Sequence, residues 1–446
     1  TAGAFFLDGE LPMSLAARFC LWCDNQRVDT EALVEQSLKD ITRRSILDTA
    51  PQPELFKHAS SSMAEIMQAW RQEYWASEAQ LQQIADKIIE SGGSASVSAS
   101  GNGFNIQISA KKDQFEDFFK YFLDAMKTPA FEQAQFDLIK SQSLASLDRP
   151  YTEPDTVAAL TLARLIETHQ PGDLRYHFEP ELVKQQYQAA TREQVQQLYQ
   201  QFFKTNHGQI AVTGEFDAKR MQKLLKAEFG SWKTAEPYAR LSDGYTAYKA
   251  QKVHALSEQR EFGSYQALLA MPVGSDNPDM PALQIFRHIL GDSQLSSRLA
   301  QELREKNALV YGFGANMNFD SWTDSGALMI SANYTAGKSA QVSQTVHQVL
   351  QALLDKGVTE QELEAAKASM LKKRVTALED ERRIHSMLIP QLEKGRDLLD
   401  REKRDQDIAK LTKADVDAAI KKYIRLDQLV EVMADQYGKA QTSDKK

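Results

Sequence analysis

The sequence predicts an α+β fold made of two homologous domains, each a mostly antiparallel sheet with long helices packed on one face. Three observations lead there: hairpin-like strand pairs followed by long amphipathic helices, a self-similarity that repeats after about 220 residues, and 42% hydrophobic content in 446 residues, enough for two sizeable cores. The same composition excludes some partners. With 53 basic and 61 acidic side chains the net charge is −8, a field that repels phosphate backbones, so nucleic acid is not expected. No apolar run is long enough to span a bilayer. Residues 4–23 are mildly apolar, but Asp8, Glu10 and Arg18 interrupt them and they do not read as a targeting segment.

Residues 1–58 give no firm register and are assigned to the first domain; they hold a helical-looking stretch from Asp29 to Ser45, then Pro51 and Pro53. The two cysteines form Cys20-Leu-Trp-Cys23. That spacing suits a redox dithiol or half a zinc site, yet no second pair completes a tetrahedral site, and two buried small residues are the simpler reading. Met63, Ile66, Met67 and Trp70 share one helical face, and Leu81, Ile84, Ala85, Ile88 and Ile89 share another that Gly92-Gly93 ends. Strands at Ser94 to Ser100 and Phe104 to Ala110 pair through Gly101-Asn102-Gly103. A helix then carries Phe115, Phe118, Phe119, Phe122, Leu123 and Met126 on one face, a stripe that reads as core against a sheet. A helix from Arg192 to Lys204 leads into the strand Gln209–Thr213 and a helix capped by Asp217 and ended by Gly230. The first domain therefore covers 59–232, the aperiodic stretch 233–250 with Pro237 and Gly244 is a linker, and 251–446 is the second domain.

The second half repeats the first. Phe104–Ile108, a long helix and Pro129–Phe136 correspond to Gly326–Ile330, a long helix and Gly357–Leu363; Thr191–Val195 and the strand at Ile210 correspond to Thr412–Val416 and a strand at Val430. Chemistry is harder to find. The histidines are His58, His169, His177, His207, His254, His288, His347 and His385, none is paired with another at i+4, and neither His-x-x-Glu-His nor His-Glu-x-x-His occurs. No Gly-x-Ser-x-Gly elbow and no phosphate-binding glycine loop is present. No catalytic residue and no metal ligand is assigned in this chain.

One stretch carries a resemblance: Leu290-Gly-Asp-Ser-Gln-Leu-Ser-Ser-Arg-Leu299, followed by Ala300-Gln-Glu-Leu-Arg-Glu-Lys-Asn-Ala-Leu-Val-Tyr-Gly-Phe313. It resembles the insulinase and pitrilysin family of zinc metallopeptidases, in whose C-terminal half a helix of the form Ser-Arg-Leu-x-x-x-Leu-Arg-Glu precedes a strand opening with Tyr. Val212–Asp217 with Phe229-Gly-Ser-Trp232, and Gly357–Leu363 with Ala366-Lys367, also match that family. It often has a second glycine where this chain has Asp292. The resemblance covers roughly residues 60–446, and it implies the non-catalytic half that lacks His-x-x-Glu-His and closes a chamber, as a half-shell, over the zinc site of a catalytic half. It further implies that this chain alone is inactive, that it binds no cofactor while zinc sits in the partner half, and that its partners are an N-terminal catalytic half, or a homologous catalytic subunit, and a peptide substrate. A periplasmic or otherwise extracytoplasmic setting goes with it.

The resemblance places Arg304 and Tyr311 as substrate-binding groups that support the transition state: a guanidinium fork and a phenol can hydrogen-bond a substrate carbonyl and stabilise the oxyanion formed by zinc-bound water. Two plainer readings stand beside this. Strand alternation puts Tyr311 on one face with Phe313, Ala315, Met317 and Phe319, as a core aromatic, and Arg304 lies among Glu302, Glu305 and Lys306, as on any solvated helix face. A structural or peptide-binding scaffold of the same fold, without protease activity, is the alternative function.

Overall fold

Two threonines mark the repeat physically. Thr191 and Thr412 each cap a helix reciprocally: each hydroxyl accepts the N–H three residues on, and the side chains of Gln194 and Asp415 return to the threonine N–H. The computed structural model describes residues 2–6 and 78–439 apart from 101–102, 149–150, 171–172, 174, 177–179, 206–207, 234–239, 259–260 and 397. Cys20, Cys23, Asp29 to Ser45, Pro51, Pro53, the face from Met63 to Trp70 and the turn residues Gly101 and Asn102 lie outside the described residues.

The described elements run β1 (Ala2–Phe6), α1 (Glu78–Ser91), β2 (Ser94–Ser100), β3 (Gly103–Ser109), α2 (Phe115–Lys127), α3 (Gln133–Leu147), α4 (Pro154–Ile166), α5 (Pro180–Ala189), α6 (Arg192–Phe202), β4 (Gln209–Thr213) and α7 (Ala218–Phe229). The repeat continues with β5 (Gln251–Leu256), β6 (Phe262–Met271), α8 (Met280–Arg287), β7 (Val310–Phe319), β8 (Gly326–Thr335), α9 (Ser339–Lys356), α10 (Glu360–Thr376), α11 (Glu381–Glu393), α12 (Leu398–Lys410), α13 (Lys413–Tyr423) and β9 (Val430–Asp435). Helices α2, α3, α4, α5 and α6 thus have counterparts in α9, α10, α11, α12 and α13 in the same order.

The two compact units are not consecutive stretches like 59–232 and 251–446. One comprises 1–149, 169–241 and 377–398; the other comprises 150–168, 242–376 and 399–446. The repeats have therefore exchanged an equivalent helix: α4 belongs with the strands of the second repeat and α11 with those of the first. The segment 242–250, read as linker, is docked on the second unit, where Ala250 N–H donates to Asp427 O at 3.1 Å and Tyr245 Oη to Gln428 Oε1 at 3.3 Å.

In the first unit β2 pairs antiparallel with β3, and β1 with β4. The aromatic stripe of α2 is core as its period predicts: Phe118, Phe119, Phe122, Leu123 and Met126 are buried, with Phe119 edge-on to Phe229. Asp217 caps α7 by accepting the Arg220 N–H at 2.8 Å. Thr213, at the end of β4, is hydrogen-bonded through Oγ1 to His385 Nδ1 of the exchanged helix α11 at 3.2 Å.

The second unit is built on a five-stranded sheet ordered β5-β9-β6-β8-β7, antiparallel except for β5 beside β9. Its strands alternate as a sheet covered on both sides should. Tyr265, Ala267, Leu269 and Met271 of β6 join the main core with residues of α8, α9, α10 and α13. The opposite face puts Leu268, Val430, Val432 and Ala434 against Ala158 and Leu162 of α4. The long helices gather on one face, as expected, and α4 alone among the described helices packs this second core.

A tight junction fixes the start of α10. Gly357 has φ 70°, and a Cβ there would collide with the Asp417 carboxylate, which accepts the Val358 N–H at 2.9 Å. Gly357→Ala is expected to cost about 1–3 kcal/mol through left-handed strain and this collision. A thermal melt unchanged from the parent would refute that.

Candidate functional site

Arg304 does not sit on a regular α-helix. After Ser297-Arg298-Leu299 the chain forms a π-helical turn at Ala300–Lys306, with Ala300 and Leu303 buried. The wider turn changes where successive side chains project and is a geometry that occurs often at functional sites. Lys306 takes Glu302 as its partner at 2.6 Å, while Arg304 is exposed and makes no side-chain hydrogen bond or ion pair among the described residues. Ala308 N–H then donates to Arg304 O at 3.1 Å and Leu309 N–H to Leu303 O at 2.8 Å, with Ala308 at φ 46°, so the turn delivers the chain directly into β7.

Tyr311 departs from the alternation read from the sequence. Against β8 the register shifts between Val310 and Gly312, a bulge with Tyr311 as the inserted residue. A bulge re-aims the side chain at its position. Tyr311 is 70% exposed where Phe313, two residues on, is 8% exposed, so it is not a core aromatic. Thr335 Oγ1 lies 3.4 Å from Tyr311 Oη, leaving the phenol reachable from solvent. Arg304 and Tyr311 thus sit seven residues apart on a π turn and a bulge joined by one short turn; among the described residues their side chains do not bond each other.

The motif arginine that precedes them has a structural duty. Arg298 Nε and Nη2 donate to Glu362 Oε1 and Oε2 at 2.8 and 2.9 Å, and Nη2 also reaches Gly357 O at 3.0 Å. Glu362 meanwhile accepts the Thr359 N–H at 2.7 Å. Two separately quoted sequence signatures, Ser-Arg-Leu and Gly357–Leu363, therefore meet in one bidentate pair. Asp292, where the resemblance suggested glycine, receives His288 Nδ1 at 2.8 Å and Arg287 and Lys373 at 3.2 Å each. Burial pushes its carboxyl up, but the charge of Arg287 and the bonds from His288 and Lys373 outweigh that and leave it below the ordinary value.

The remaining histidines are not gathered into one cluster. His58, His177 and His207 lie outside the described residues, and His169 is elsewhere in the first unit. His254 and His347 do come together, 93 residues apart in sequence, on the wall of a cleft of about 390 Å³ with Lys252, Ser339, Ser343 and Met433. His254 Nε2 bonds Asp435 Oδ1 at 2.6 Å, and His347 Nε2 bonds Glu431 Oε1 at 2.7 Å. Sequence reasoning missed this pairing, although Val430–Asp435 held a signal: two carboxylates of like parity in an otherwise apolar strand must find partners once buried. Among the described residues no group of three or more His, Cys, Asp or Glu side chains is arranged to hold a metal ion, and two imidazoles already committed to carboxylates beside a lysine do not fit zinc.

Compared with known proteins, residues 189–370 match the family described as the peptidase M16 inactive domain. Through this segment the chain resembles the M16 peptidases. An M16 inactive domain is the non-catalytic kind, in keeping with a sequence that lacks His-x-x-Glu-His. Among curated relatives, an uncharacterized zinc protease of Mycobacterium leprae is 30% identical over 197 residues, which cover 43% of each chain. The non-peptidase homolog YmxG of Helicobacter pylori is 23% identical over 285 residues, 62% of each chain. The matches thus span less than two thirds of those relatives' length. Of solved structures, an M16 inactive domain from Pseudomonas fluorescens superposes with a TM-score of 0.69 at 21% identity, covering 81% of this chain and 85% of that one. A Helicobacter pylori protease gives 0.72 at 15% identity, over 84% and 89%. At such identities these structures share the fold with this chain.

Proposed function

We propose that this chain is the substrate-positioning, non-catalytic half, or inactive subunit, of an M16 zinc metalloendopeptidase that acts on peptides or unfolded proteins. The observation that carries the reading is the bulge that turns Tyr311 out of the core, beside an Arg304 free of ion pairs among the described residues, in a chain whose residues 189–370 match the inactive-domain family. The metal chemistry belongs to a catalytic half carrying His-x-x-Glu-His. This chain closes the chamber, and Arg304 and Tyr311 donate hydrogen bonds to the substrate carbonyl where negative charge develops. A periplasmic setting accords with a structural neighbour, the periplasmic protease PqqL of Escherichia coli, which shares the fold at a TM-score of 0.65 and 14% identity.

Mixed with its catalytic half, the chain is expected to support cleavage of a quenched fluorescent peptide. Arg304→Ala and Tyr311→Phe should each lower kcat by about 100-fold, the scale of losing one oxyanion donor, with melting temperatures unchanged because both side chains are exposed. Unaltered rates in both variants would remove the assigned roles. A second reading, a peptide-binding scaffold without protease activity, is favoured by the relative named a non-peptidase homolog. It predicts peptide binding with no cleavage under any pairing.

A further inference from the structure

The strand β9 carries two carboxylates that the proposed function leaves unused. Glu431 and Asp435 lie four residues apart, on the same side of the strand, with side chains 3% and 0% exposed. Glu431 accepts from Tyr265 Oη at 2.9 Å, Ser343 Oγ at 2.5 Å and His347 Nε2 at 2.7 Å, and Lys252 Nζ stands 3.4 Å from it. Asp435 accepts from His254 Nε2 at 2.6 Å, Tyr334 Oη at 3.0 Å and Tyr437 N–H at 2.9 Å, with Gly337 N–H at 3.5 Å. An ionised carboxylate only accepts, so both imidazoles hold a proton on Nε2. The described residues offer no partner to either Nδ1.

The cleft beside them is lined by Lys252, His254, Ser339, Ser343, His347 and Met433, and the imidazoles are 30% and 35% exposed. Each ring is oriented by its Nε2 bond to a carboxylate, and an imidazole that carries a second proton presents Nδ1–H as a donor. With both rings protonated, the groups facing the cleft from β5, α9 and β9 are Lys252, His254 and His347 against Glu431 and Asp435, three cations to two anions. The acids are met by protein donors, Tyr265 and Tyr334 among them from β6 and β8, while Nδ1 of both histidines faces no acceptor among the described residues. An α9 that begins at Ser339 with no acidic residue in its first turn and no side-chain cap adds to the same sign of field. The cleft volume of about 390 Å³ is several times that of a bare phosphate, and Met433 and Ala340 give it apolar wall.

We infer that this cleft binds a small organic oxyanion, a carboxylate or phosphate head on an apolar body, held by His254, His347 and Lys252 and bound more tightly as the two imidazoles take up protons. It is a ligand site distinct in its residues from Arg304 and Tyr311, and it stands whether or not the chain serves a protease.

Phenyl phosphate and benzoate, titrated into the full chain by calorimetry at pH 6 and pH 8, test it, and the two probes separate a phosphate from a carboxylate preference. The expected result is one site for at least one probe, at least tenfold tighter at pH 6. The double variant His254→Gln with His347→Gln keeps an amide donor toward each carboxylate and should lose that site while melting as a folded protein. If the variant does not fold, proton-detected titration of the two histidine rings in the unaltered chain replaces it, and the probe should move both sets of ring signals. No binding of either probe at millimolar concentration, affinity independent of pH, full binding by the folded variant, or ring signals that do not move would each overturn the proposal.

Discussion

Glu431→Ala is expected to destabilise the unit built on the five-stranded sheet by about 3–5 kcal/mol, the scale of breaking a buried ionic network by removing one partner. Its side chain answers Tyr265, Ser343 and His347 at once, and Tyr265 and Ser343 are wholly buried, so the alanine leaves two hydroxyls and an imidazole to compete for nothing. The same residue sets an acid response. Burial pushes the Glu431 carboxyl up, but hydrogen bonds from His347, Ser343 and Tyr265, with the charge of His347, outweigh it and hold the group below its ordinary value of 4.5. A carboxyl lowered on folding contributes its full stabilisation above the unfolded value and loses it as the pH falls through the folded one. The parent should therefore lose melting temperature below about pH 4.5 by this route, and the alanine variant should show a shallower decline there. A variant melting within 0.5 kcal/mol of the parent at neutral pH would show that the network contributes little.

Leu162→Asp should be as damaging, and in an unexpected place. Leu162 lies in the first repeat, yet its side chain is 4% exposed against Leu268, Val430, Val432 and Ala434 of the second repeat's sheet. An unpaired carboxylate there costs more than about 4 kcal/mol. Ala159→Asp, one turn position away on the exposed face of the same helix, should cost no more than about 1 kcal/mol. Hydrogen exchange locates the damage. Protection should fall in β6 and β9 and persist in α2 and α6; the reverse pattern would contradict the helix exchange.

These two residues also show what the sequence discloses. The duplication is legible because capping chemistry is local: Thr191 and Thr412 announce helix starts without reference to anything distant. The stripe of α2 is legible because 3.6-residue periodicity reports burial directly. Nothing in Ala158 or Leu162, however, says which sheet they will cover, since an apolar face specifies burial and not its partner. Tyr311 was half legible. Its neighbourhood matched a family motif, but period-two alternation put it inside, and only a bulge, which adds one residue to one strand, reverses that parity. The two carboxylates of Val430–Asp435 announce that they need partners, but not that these are His254 and His347, which lie 181 and 84 residues away.

The helix exchange carries a consequence for synthesis. A chain emerging from the ribosome finishes α4 at Ile166, but the strands it covers are complete only at Met271 and Asp435. Conversely β4 is finished at Thr213 and waits for α11, which ends at Glu393. Neither unit can close before most of the other has been translated, so domain-by-domain folding is denied to this protein. During that interval α4 presents Ala158 and Leu162 with no native partner yet made, an apolar face for chaperones to hold and for neighbouring nascent chains to find.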